Sequence, residues 1–175
     1  VKSFLFIGLT AFLLPVFAFA YSAQSTHPAL TDEIVDYFNL AYPARALTNA
    51  EKELVKHGSS EEDAPIFRVV NHFYDPVYNV GLKSSNPSSK QWALTTDLQI
   101  GGNSMFAAGA GVLGSYFSAS DDYSWERAVF DYAHGDKERA LKNLGHILHL
   151  IQDATVPDHT RDDMHPPAFD FGSPY

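Results

Sequence analysis

One run near the end of the chain constrains its fold more than any other: residues 137 to 156, KERALKNLGHILHLIQDATV, preceded by Asp136 and followed by Pro157. Asp136 is a natural N-cap and Pro157 a stop, so the run predicts one long helix. Ala140, Leu141, Leu144, Leu148 and Ile151 give it a broad apolar face that asks for burial. The same run carries His149 and Asp153, four positions apart and therefore one turn apart on one side of the helix. An isolated His-x3-Asp pair is ordinarily a surface ion pair. Here its neighbours Ile147, Leu148, Leu150 and Ile151 draw it inward, and a buried imidazole and carboxylate need partners. Hydrogen bonds within the pair would serve, and so would a shared cation. Beyond Pro157 comes His159, completing His149-x3-Asp153-x5-His159, a donor set of imidazole nitrogen and carboxylate oxygen that suits zinc.

The rest of the chain reads as further helices. Residues 28 to 41 place Leu30, Ile34, Tyr37, Phe38 and Ala41 on one face, with Asp32 and Glu33 near the start. Residues 48 to 57 form a second helix with Thr48 and Glu51 as a capping box, Gly58 as the stop, and an acidic turn, Glu61-Glu62-Asp63, after it. A short helix is expected over 65 to 73, carrying His72 and ended by Asp75-Pro76, and another over 124 to 133. The stretch from Gly81 to Asp122 is rich in Gly, Ser and Asn, with helix-compatible runs only at 91–99 and 104–117. About five helices, no alternating strand pattern, and no repeats or heptads predict an all-α class.

Residues 1–20 carry the parts of an export signal: Lys2, the apolar run Phe4 to Ala20 broken by Pro15, and Ala18-Phe19-Ala20 as a small-x-small cleavage site. That run is at the short limit of a membrane span. Cleavage is therefore expected near Ala20-Tyr21, giving a secreted or periplasmic domain over 21–175. The chain has no cysteine, so it can be neither a lipoprotein nor a disulfide-stapled domain. Packing, alone or with metal, must hold it. Its formal net charge is −9, and without Lys2 the balance is 11 basic against 21 acidic side chains, or −10. Such a chain repels phosphate backbones and anionic lipids unless something local and positive offsets it. Basic residues do not cluster, so bound metal is the expected source.

Three segments together resemble the zinc-dependent phospholipase C and single-strand-specific nuclease superfamily. They are Thr26-His27-Pro28-Ala29-Leu30-Thr31, then Asn71-His72-Phe73-Tyr74-Asp75-Pro76, and Leu144 to Asp153 continuing through Val156-Pro157-Asp158-His159-Thr160-Arg161-Asp162-Asp163. The third is the most specific, and the likeness spans Tyr21 to Tyr175 with the middle matching least. The resemblance implies a multi-helix domain around up to three zinc ions that hydrolyses phosphodiesters by attack of zinc-bound hydroxide on phosphorus. Its substrate would be a phospholipid headgroup or single-stranded nucleic acid, and the protein a monomer without a stable protein partner.

Carried over by position, His72, His149 and Asp153 would hold one zinc, with Asp153 bridging to another held by His27 and the Tyr21 amino terminus. Asp63 would coordinate weakly and act as base on the attacking water, and His159 would begin a third site. The family's usual terminal residue is Trp, and Tyr21 stands in its place; its ligating atoms are backbone, so the change is tolerable. The third site needs a further His, for which His165 is the candidate, and an acidic residue that the pattern places just after Tyr175. The resemblance therefore implies that the C-terminal part of the domain is missing.

Other polar residues have plainer expectations: His146 as a core or supporting histidine, His57 as a partner of a helix C-terminus, His134 in a loop, Asp75 in a turn. Asp162 and Asp163 are solvated or orient their neighbours, and Arg161 forms a surface ion pair. A different class of protein, a secreted metal-binding or structural module of the same fold without turnover, meets the same residue pattern.

Overall fold

The computed structural model describes residues 22–64, 66–84, 86–101 and 122–161. Over these the protein is mostly helical, with a lone antiparallel bridge between Asp75 and Val80 and no strand. Five helices organise it: α1 (Thr26–Ala41), α2 (Asn49–Glu61), α3 (Ser89–Leu94), α4 (Trp125–Ala133) and α5 (Lys137–Asp153). Residues 96–101 are also helical. Short 3-10 segments lie at Pro43–Arg45, Ile66–Asn71, Leu82–Ser84 and Pro157–Thr160. The expected all-α class holds. Among the described residues no helix is long and apolar enough to cross a membrane, and the expected export signal lies outside them.

Local chemistry explains where the helices start. Thr48 and Glu51 form the expected capping box at α2, and Ser88 with Gln91 repeats it at α3. The Ser124 hydroxyl accepts from Arg127 N at α4, and the Asp136 carboxylate accepts from Arg139 N at α5. Between α4 and α5 the chain turns at Gly135, whose φ of 91° a residue with a Cβ rarely adopts.

Helix α5 is the axis of the molecule, contacting α1, α2, α3 and α4. On one flank Leu141 packs with Val35 and Val55, supported by Leu47, Leu54, Leu144 and Leu148. On the other, Ile147 and Leu150 pack with Trp92, Ala93 and Ala128. Each large apolar side chain so buried contributes about 1.5–3 kcal/mol.

Several expectations about helix ends and faces are corrected. Helix α2 does not stop at Gly58; it runs on to Glu61, and Gly58 lies inside it against Gly145 of α5. A Cβ on Gly58 would sit 2.0 Å from the Lys142 carbonyl oxygen, and one on Gly145 2.0 Å from that of Val55. The glycine is there for close helix crossing, not for termination. His57 is consequently an exposed mid-helix residue facing Glu61 at 3.4 Å, not a C-terminal partner. Helix α1 begins at Thr26, and its buried face is His27, Thr31 and Val35, while Ile34 and Tyr37 are exposed. This helix faces a polar centre, so it buries the polar groups that centre uses. Asp32 pairs instead with Lys52 and Lys56 of α2. Similarly α5 ends at Asp153 with Ile151 exposed, and Pro157 opens the next 3-10 turn. The segment before His72 is a 3-10 turn, Ile66–Asn71, in place of an α-helix.

Candidate metal centre

Four segments meet at the C-terminal end of α5. That helix supplies His149 and Asp153, and α1 supplies His27 from its first turn. Asp63 follows the end of α2, carried there by the glycine crossing. His72 follows the 3-10 turn, and its strand-like continuation is pinned in place: Tyr74 N donates to the His159 carbonyl at 2.9 Å, and Ser89 N to the Phe73 carbonyl at 2.8 Å. The first of these bonds ties the His72 segment to the turn bearing His159. Asp75 then closes a tight turn by accepting from Val77 N and Tyr78 N, as the sequence predicts.

The Asp153 carboxylate is the hub. Its Oδ2 lies 2.7 Å from His72 Nδ1 and 3.3 Å from His149 Nε2. Its Oδ1 lies 3.3 Å from His27 Nε2 and 3.4 Å from His159 Nδ1. Asp63 Oδ1 stands 3.5 Å from His72 Nδ1 and 3.6 Å from His149 Nε2. Ligand atoms of His27, His149 and Asp153 fall within 4.8 Å of one another, and so do those of Asp63, His72 and His149. His27, His72, His149 and Asp153 are all at most 2 % exposed, whereas the Asp63 side chain is 37 % exposed and opens the centre to solvent.

The far side of the ligand rings decides what the near side can do. His149 Nδ1 donates to the Ser59 carbonyl at 2.7 Å, and His27 Nδ1 donates to Gln152 Oε1 at 2.7 Å. Gln152 is itself oriented by its donation to the Thr31 hydroxyl. Both rings therefore carry their proton away from the centre, and when neutral each aims an Nε2 lone pair at a carboxylate. Lone pair facing carboxylate is repulsive unless a cation or a proton lies between. His149 Nε2 is moreover buried without a hydrogen-bond partner. In His149 the near-side nitrogen lacks a hydrogen bond while the far-side nitrogen has one, which is how metal-binding histidines are held. The residues present thus fit a metal ion.

Electrostatics agree with the geometry. Burial alone would raise the Asp153 carboxyl, but His149, His159, His27 and His72 hold it far below the usual carboxylate range. Burial would lower His72; the Asp153 and Glu62 carboxylates overcome that and hold it at about 10. Glu62 is pushed up by burial and brought well down by Arg68, then by His146 and His72. His146 is lowered by burial, with Glu62 opposing.

Of the residues singled out by sequence, the structure brings together His27, Asp63, His72, His149, Asp153 and His159. Tyr21 and His165 lie outside the described residues, as do Asp162 and Asp163. His146 is a buried supporting histidine, as expected, and His134 caps α4. Sequence reasoning missed Glu62, Gln152, Thr31, Arg68 and the Ser59 carbonyl. Only Glu62 and Gln152 had any signal, as polar neighbours of Asp63 and Asp153. No family model, curated protein or solved structure matches the chain.

Proposed function

We propose that the protein is a secreted, zinc-dependent phosphodiester hydrolase of the phospholipase C or nuclease type. What carries the reading is Asp153, one buried carboxylate whose two oxygens each face two imidazoles. His72, His149 and Asp153 would hold one ion; His27, His159 and the other oxygen of Asp153 would hold a second. Imidazole nitrogen and carboxylate oxygen without thiolate is a donor set that zinc accepts in hydrolytic sites. Bound there, zinc supplies acidification of a coordinated water and neutralisation of phosphate charge.

The chain's own groups do the rest. Asp63 is the carboxylate of the centre that solvent reaches, so it orients the attacking water and takes its proton. His149 and His27 are locked by Ser59 and Gln152 and keep their donor atoms fixed through turnover.

The test is the purified, zinc-loaded protein assayed on phosphatidylcholine and on single-stranded DNA. One of the two is hydrolysed, chelation abolishes the activity and zinc restores it. Asp63→Asn lowers kcat by about 10²–10⁴-fold, the usual worth of a general base, and His149→Ala removes both zinc and turnover. Full zinc content with no hydrolysis of either substrate would leave a metal-binding module; neither zinc nor hydrolysis would sink both readings.

A further inference from the structure

Behind the centre lies a second buried polar cluster that the mechanism does not use. Glu62, fully buried and adjacent to Asp63 in sequence, accepts from Arg68 Nη2 at 2.8 Å on Oε1 and 2.7 Å on Oε2. It also accepts from Trp92 Nε1 at 3.3 Å and from His146 Nδ1 at 2.6 Å. These donors come from three separate elements: the 3-10 turn Ile66–Asn71, α3 and α5. The His146 ring lies flat on Tyr123, with centroids 3.7 Å apart and planes within 1°. Glu62 therefore cannot turn without breaking contacts to three elements. Its Oε1 is 3.7 Å from His72 Nε2, an ion-pair distance beyond hydrogen-bond range, and that nitrogen is buried with no hydrogen-bond partner. The opposite edge of the ring, Nδ1, faces Asp153 and Asp63.

We propose that Glu62 is a positioning residue: it keeps the proton of His72 on Nε2, turns the Nδ1 edge into the metal centre, and anchors the backbone that presents Asp63. His72 then differs from His27 and His149, which are held through Nδ1 and face the centre with Nε2. Glu62 stands behind His72 as the Ser59 carbonyl stands behind His149, acting by its charge at 3.7 Å where Ser59 accepts a hydrogen bond at 2.7 Å. Arg68 and His146 act one step further out, by fixing Glu62.

This inference rests on the metal reading above, and the experiment separates the two. Protein with nitrogen-labelled histidine is followed by NMR, metal-free and loaded with cadmium as a probe. In the wild-type protein His72 carries a proton on Nε2 in both states, and cadmium couples to its Nδ1. Coupling through Nε2 overturns the inference. Glu62→Gln keeps the fold, by circular dichroism and melting temperature, and loses about 10- to 100-fold in cadmium affinity at the site containing His72, with a smaller loss at the site containing His27. An equal loss at both sites together with a lowered melting temperature is what a merely structural core residue would give, and it overturns the assignment. Should Glu62→Gln not fold, the wild-type spectra decide alone. Should the wild-type protein take up no cadmium, the metal reading fails, and the metal-free spectra still decide: a His72 Nε2 resonance that shifts in Glu62→Gln supports the role of Glu62, and an unchanged one overturns it.

Discussion

Asp153 meets four imidazoles with two oxygen atoms, and each oxygen serves a different pair. Replacing it removes a donor from both groups at once. Asp153→Asn is therefore expected to reduce zinc content by more than one ion per chain, and His159→Ala, which touches one oxygen only, by no more than one; elemental analysis of the purified variants reads the difference. At this scale the sequence was partly legible. His149 and Asp153 share a helix, so their spacing of one turn announces their meeting. His27, Asp63 and His72 lie on other segments, and only a family resemblance pointed to them. Gln152 bonds His27 across 125 positions and Glu62 bonds His146 across 84. No local pattern marks a partner at that distance, and the supporting residues were missed for that reason.

The α2–α5 crossing shows what the element scale adds. Sequence reasoning takes Gly58 for a helix stop because glycine after a helical run ordinarily is one. Tertiary contact overrides the local signal: the helix continues because its backbone must pass close to Gly145. Gly145→Ala is expected to destabilise the fold by about 3 kcal/mol or more, since backbone carbonyls at the contact cannot move aside as a side-chain tip would. Urea unfolding at constant m-value measures it, and the variant should lose metal affinity as well, because Asp63 rides on the end of α2. Caps were legible because they are local, and the Thr48–Glu51 box links two helices through Lys137, which pairs with Glu51. Lys137, with the Thr48 amide and hydroxyl, lowers the Glu51 carboxyl to about 2. A carboxyl lowered on folding stabilises above its unfolded pKa, and that stability is lost as pH falls. Lys137→Met should therefore lower the melting temperature by a few degrees at most at pH 6. The difference from wild type should shrink as pH falls from about 4.5 towards about 2.

On the scale of the whole molecule, α5 is both the core helix and the carrier of the centre. Its apolar residues pack on two flanks while His146, His149, Gln152 and Asp153 are buried among them. A chain without disulfides has drawn its helices around a polar interior, and a cation at that interior would bind the folded state alone. Chelation is expected to lower stability by about 2.7 kcal/mol relative to zinc at 100 times its dissociation constant. Paired melts with EDTA and with zinc check this; a common melting temperature would argue against ligation. The all-α class was legible from periodicity, since it needs only local pattern. Which faces of α1 and α5 turn inward was not, because the centre that attracts them is assembled from distant segments.

That assembly has a temporal side. The carbonyl of Ser59 orients His149 from 90 positions away, and His27 finds its amide partner across most of the described chain. Closing such long loops is slow, and the contacts are worth nothing until α5 arrives. A chain emerging amino end first therefore displays His27, Asp63 and His72 as separate donors until α5 has been made, and the docking of α5 turns them into one centre. Any cation that the centre takes up must therefore wait for α5 to dock.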